Sequence, residues 1–203
     1  MNRRQEFLEL AKKHYAADML IKATYGEIEQ GQFKGCSVGC FLYDIKGDKF
    51  DVVDKHQVLA DWSGLPVWLH HLQDTLFEGL PNGDSAKWHV QLAETIAGLP
   101  AEYDWQAAMH RVHVAILRVS YKTAGKSKSV VETVIDLHER AGRGEPLADE
   151  LWSAARSAAE SAVRSAAESA VRSAAESAAE SAVRSAAYQE IRDAVLIAIA
   201  KPE

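Results

Sequence analysis

The sequence predicts an all-α protein, and three observations carry the prediction. From Leu147 to Lys201 no Gly or Pro interrupts the chain, and nine Ser-led tetrads of Ala, Val, Glu and Arg run through it, with Ser at every fourth position from 153 to 185. Ala, Glu and Arg are strong helix formers. Upstream, apolar residues recur mainly at three- and four-residue steps, the period of a half-buried helix. Strand-like patterning is confined to 42–53, where Lys46-Gly47-Asp48 would make the turn of one short hairpin, a loop within a helical protein being the equal alternative. The expected layout is a helical N-terminal domain over 1–142, a Gly142-Arg143-Gly144-Glu145 boundary, and a long Ala/Ser-rich helix over 146–200 that packs on that domain or on a partner.

Each element follows from local signals. Phe7, Leu10, Ala11, His14, Ala17 and Ile21 share one face of a helix over 2–23, and Gly26, Gly31 and Gly35 punctuate the loop beyond it. A helix over 55–62 stops at Gly64, and Pro66 opens the next, which carries Trp68, Leu69, Leu72 and Leu76 to Gly79. Pro81-Asn82-Gly83-Asp84 reads as a turn, with Asp84 or Ser85 capping a helix over 86–97. Asp104 caps a helix reaching Lys122, and a further helix covers 127–141.

In the tetrad tract, Glu160, Arg164, Glu168 and Arg172 stand one turn apart, each pair supporting the helix by about 0.2–0.5 kcal/mol. The Ser stripe advances about 40° per tetrad, so a partner tracking it winds right-handed. An unbroken helix over 146–200 would be about 80 Å long. The preceding residues make a globule of about 15 Å radius of gyration. Such a helix protrudes and invites a partner, with Arg156, Arg164, Arg172 and Arg184 as contact candidates. Trp152 and Tyr188 bracket the tetrads, and Ile191, Val195 and Ile199 form a stripe expected to dock on the core.

The net charge of −6 argues against a general nucleic-acid binder, whose affinity comes largely from basic surface. Charged residues near Met1 break any leader pattern, and no apolar run approaches membrane-spanning length. Two cysteines without a secretory signal suggest free thiols and a cytoplasmic setting.

The chemistry-bearing residues gather around Gly35-Cys36-Ser37-Val38-Gly39-Cys40. Cys36 and Cys40, with His56 and His70 as completing ligands, are the candidate metal set, zinc being the candidate ion. Buried packing thiols are the alternative. His110 and His113 have a metal-compatible spacing but no third ligand on the same helix. Leu59-Ala60-x3-Gly64 has helix-turn-helix spacing, although the second helix offers no Arg or Lys to a groove. Nucleotide-binding, zincin and nucleophile-elbow motifs are absent.

Gly35-Cys36-x-Val38-Gly39-Cys40, Leu65-Pro66-x-Trp68-Leu69, Glu78-Gly79-Leu80-Pro81, Trp88 and Glu94-Thr95-Ile96 together resemble a family of uncharacterised bacterial and phage proteins with Ala-rich C-terminal tracts. The resemblance spans about residues 15–200. It implies a host-interaction role, such as blocking a defence system, and no particular activity. The leading expectation is a non-enzymatic module that binds another protein or its own copy as a homodimer. The alternatives are a metal-binding or catalytic site at the Gly-Cys loop, and nucleic-acid binding through the helix-turn-helix.

Overall fold

A computed structural model describes residues 2–29, 31–122, 124–158 and 177–201. The fold is all-α, with one two-stranded antiparallel sheet among the described residues. The chain divides into two compact units, Met1–Ala101 and Glu102–Glu203. The expected boundary lay at 142–146. The division falls earlier because the helix over Trp105–Tyr121 packs against both Lys128–Gly142 and Ser177–Ala200, grouping the C-terminal helix with two helices that the sequence had assigned to the N-terminal domain.

The first unit is built from α1 (Arg3–Ala16), α2 (Ser37–Lys46), α3 (Lys55–Ser63), α4 (Val67–Gly79) and α5 (Asn82–Ala97). Asn2 caps α1 by accepting from the Gln5 backbone N–H at 2.8 Å. Asp18, at φ +50°, turns the chain out of that helix, so α1 is shorter than the 2–23 span expected. Strands β1 (Glu27–Glu29) and β2 (Gln32–Lys34) pair Ile28 with Phe33 across a turn at Gly31, which has φ +80°. This corrects the expected hairpin at 42–53. Its first part, 42–46, is the end of α2, followed by a 3-10 turn at Gly47–Lys49. The α2 residues Phe41 and Leu42 are buried beside Val38 and Cys40, giving a helical face whose period a short apolar run cannot announce.

The core of this unit stacks Phe7 on Phe41, with ring centroids 4.1 Å apart, and also buries Leu59, Leu69, Phe77, Leu92 and Ile96. Trp88 is fully buried, and its indole N–H donates to the Gln73 carbonyl at 3.0 Å.

The second unit contains α6 (Trp105–Tyr121), α7 (Lys128–Gly142), a helical stretch α8 over 149–158, and α9 (Ser177–Ala200). Asp104 caps α6, accepting from the Ala107 N–H at 2.9 Å. Val195 and Ile199 are fully buried and Ile191 partly so, as the docking stripe required. Arg111 donates to the Ala198 carbonyl at 3.2 Å and to the Tyr103 hydroxyl at 3.0 Å, fixing the C-terminal end of α9 on α6. Arg164 and Arg172 lie outside the described residues, as does the side chain of Arg184; Arg156 is exposed on α8. No described helix is long and apolar enough to cross a membrane.

Candidate functional site

The Gly-Cys element is explained by close backbone approach. Residues 19–24 run alongside 35–36. The Gly35 N–H donates to the Met19 carbonyl at 2.9 Å, and the Cys36 N–H to the Thr24 carbonyl at 2.8 Å. The Tyr25 carbonyl then lies over the first turn of α2. A Cβ placed on Gly39 would sit 1.5 Å from that oxygen, so only glycine admits the approach. Cys36 is the N-cap of α2, its sulfur accepting from the Gly39 N–H at 3.5 Å.

This arrangement brings Cys36 to α4. The Cys36 sulfur, an Asp74 oxygen and a Glu78 oxygen all lie within 4.8 Å of one another, a grouping that no other His, Cys, Asp or Glu set reaches among the described residues. Asp74 and Glu78 are one helical turn apart, so both carboxylates leave the same face of α4. Asp74 Oδ2 is engaged by the Tyr25 hydroxyl at 3.1 Å and by His56 Nε2 at 3.2 Å. Asp74 Oδ1 is buried without a hydrogen-bond partner, the sole such side-chain atom among the described residues. Glu78 is held from the other side by the Ala23 N–H at 3.0 Å, and Ala23 adopts a left-handed φ of +65° to deliver it. A cleft of about 420 Å³ opens beside Tyr25 and His56.

Electrostatics decide what this sulfur can do. Burial, then the Asp74 charge, pushes the Cys36 thiol far above the usual range. Without a cation it stays protonated at neutral pH and is a poor nucleophile. Burial, reinforced by Asp74, pushes Tyr25 up to about 12. Burial, followed by the neighbouring His71, lowers His56 and keeps its imidazole neutral.

The four metal candidates from the sequence part company. Cys36 and His56 meet at Asp74. The Cys40 thiol instead donates to the Met19 and Gly35 carbonyls, and burial raises its pKa to about 12. His70 is fully buried between Ser63 and Gln73. Asp74, Glu78 and Tyr25 were missed; the one signal for them was the four-residue spacing of the two carboxylates.

His70 belongs to a buried polar chain that crosses the unit behind the site. Gln73 Nε2 donates to Ser37 Oγ at 2.6 Å, so the Ser37 hydrogen goes to His89 Nδ1 at 2.7 Å. His89 therefore carries its proton on Nε2 and donates it to His14 Nδ1 at 3.1 Å. His14 Nε2 donates to Asp44 Oδ2 at 2.8 Å, and Lys13 covers the other Asp44 oxygen at 2.6 Å. On the opposite side, His70 Nδ1 donates to Gln73 Oε1 at 2.9 Å, and His70 Nε2 accepts from Ser63 Oγ at 2.9 Å. Every link closes with a single donor–acceptor assignment for each ring. Ser37 and Gln73 are the direct neighbours of Cys36 and Asp74, so the chain fixes the backbone that aims both ligands. It also occupies His70 and Gln73, two of the side chains a reading helix in α3–α4 would need.

No family model matches this chain, and comparison with curated proteins and with solved structures gives no match.

Proposed function

We propose that the first unit binds one divalent cation of the zinc class through Cys36 Sγ, Asp74 Oδ1 and Glu78, with a fourth position facing solvent. The observation that carries the reading is the orphaned Asp74 Oδ1, a buried acceptor beside a thiol and a second carboxylate. A cation there completes Oδ1 and reverses the local logic, because a coordinating thiol gives up its proton. His56 and Tyr25 on Oδ2 orient the ligand as outer partners do in metal sites. Three protein ligands and one open position make up the coordination pattern that leaves room for an exchangeable molecule.

Cobalt(II) titration of metal-free protein tests it. The expected result is one cobalt with a thiolate-to-metal charge-transfer band. The band disappears in Cys36→Ser, and affinity falls at least about tenfold in Asp74→Asn. Cobalt binding without that band, or unchanged in Cys36→Ser, sinks the proposal.

A second reading is a protein-binding module, with a second copy or a host protein as partner, and a different observation favours it. Helices α6, α7 and α9 of the second unit line a groove of about 620 Å³. Val114, Val119 and Ile197 line it together with Arg111, Arg118 and Lys122. Ile197 is 71% exposed on a helix whose opposite side is buried. Light scattering should give a dimer for the full chain and a monomer for Ile197→Asp. A monomer at every concentration removes self-association from this reading.

A further inference from the structure

The groove of the second unit has two ends that differ in charge. Helix α6 packs against both α7 and α9, and both run antiparallel to it. Lys122, just past the end of α6, pairs with Glu190, while Arg111 near its start reaches the Ala198 carbonyl. Tyr121 donates to Glu132 of α7 at 2.6 Å, while a Cβ placed on Gly142 would sit 3.3 Å from His110 Cβ. At the Lys122 end the cations are matched, Lys122 by Glu190 and Arg118 by Glu139 at 2.6 Å. At the Arg111 end they are not. Arg111 donates to two neutral oxygens, and neither Arg111 nor Lys201 has a carboxylate partner among the described residues. Arg143 stands at the same end, held by Glu145. Between the ends the lining is apolar: Val114, Ala115, Val119, Ala194 and Ile197.

We propose that this groove binds one single-chain anionic amphiphile, a fatty carboxylate of about twelve carbons, with its head at Arg111 and Lys201 and its tail along α6 toward Lys122. The lining on α6 runs from Arg111 to Lys122, about 16 Å at about 1.5 Å per residue, which is the reach of an extended chain of that length. The volume of about 620 Å³ suits a small molecule, and such sites between bundle helices are mostly apolar with a few charged groups that fix orientation. Arg111 uses Nε and one Nη for the Ala198 carbonyl and the Tyr103 hydroxyl, so its other Nη is left to a carboxylate, the partner its planar fork fits. The last turn of α9 does not oppose an anion there, because Arg111 covers the Ala198 carbonyl and the Tyr103 hydroxyl donates to that of Ile199 at 2.5 Å. Unmatched cations at one end and matched pairs at the other set both the sign of the head and the direction of the tail. The tail covers Ile197, which is otherwise exposed, and each buried methylene adds about fourfold in affinity. The proposal goes beyond both readings above: it needs no ion at Cys36, and it gives the groove to a small molecule in place of a second copy.

Calorimetric titration of full-length, metal-free protein with sodium laurate, kept below its micelle concentration, tests it. One laurate per chain is expected, with octanoate and dodecylammonium each at least about tenfold weaker. Ile197→Asp, at an exposed side chain, should weaken laurate at least about tenfold with the helical circular-dichroism signal retained. Lys201→Gln, also exposed, reads the head without touching the α9 contacts of Arg111 and should cost about threefold for laurate and nothing for dodecanol. Cys36→Ser should leave laurate binding unchanged, so this site and the cobalt site fail independently. Absence of laurate binding overturns the proposal. So does dodecylammonium binding as tightly as laurate, or an affinity that Ile197→Asp does not change. A dimer that persists at saturating laurate without taking it up gives the groove to a second copy and overturns the proposal as well.

Discussion

Replacing His89 with alanine should destabilise the first unit by about 4 kcal/mol. His89 is buried and bridges Ser37 to His14, so its removal leaves two buried polar groups unpaired. Each orphan costs about 1–3 kcal/mol. The vacated volume, beside Phe41 at 5.0 Å between ring centroids, adds a cavity term. Ser37→Ala removes a smaller group but orphans His89 Nδ1 and one Gln73 donor, so about 2 kcal/mol is expected. Val53→Ala, at a side chain 93% exposed, should stay within about 0.5 kcal/mol. Urea denaturation at neutral pH measures all three. A cost below about 1 kcal/mol for His89→Ala would mean that the polar chain is not the continuous, fully satisfied network described above. Because Ser37 and Gln73 adjoin Cys36 and Asp74, His89→Ala should also weaken cobalt binding without touching a ligand.

Acid should destabilise the protein well before its carboxylates titrate. Burial lowers His70 to about 4 and His89 well below its ordinary value, so both are neutral in the folded state. In the unfolded chain they titrate near 6.5. Below that pH the unfolded state binds more protons, so stability rises with pH there. The contribution is fully present above about 6.5 and is lost as pH falls toward the folded-state values. From pH 7 to pH 5, His70 alone accounts for about 2 kcal/mol, and His89 acts in the same direction. Asp44 adds a loss at lower pH. Its carboxyl is held below its ordinary value by the His14 and Lys13 hydrogen bonds, which outweigh its burial. Unfolding free energies measured from pH 7 to pH 5 should fall, and the slope should be shallower in His70→Gln, which keeps an amide in the same place. A flat profile across that range would show that these imidazoles do not stay neutral in the folded state.

Helices were the legible part of this chain because their signals are local. The Asp104 cap, the Gly64 stop and the Val195–Ile199 stripe each depend on residues within a turn or two of one another, and each stands where its spacing placed it. The hairpin went astray for the same reason in reverse. Residues 41–53 carry an apolar run too short to show its period, and what makes 37–46 a helix is burial of Val38, Phe41 and Leu42 against other elements. Two residues of the candidate site were visible. Cys36 and His56 were singled out by type and by the Gly-Cys spacing. Asp74 and Glu78 looked like ordinary surface carboxylates of an amphipathic helix, because nothing near them in sequence says that α2 begins beside them.

What the sequence determined by itself was the class of fold and where most helices begin and end, since capping, propensity and apolar period act over one or two turns. Only the tertiary structure decided which polar residues meet. Ser37 finds His89 across 52 positions and His110 finds His138 across 28. The tetrad tract dominates the C-terminal third of the sequence, and the histidines and carboxylates that meet among the described residues come from other parts of the chain. Burial selects histidines and carboxylates that have partners close enough to satisfy them, and those partners come from distant parts of the chain.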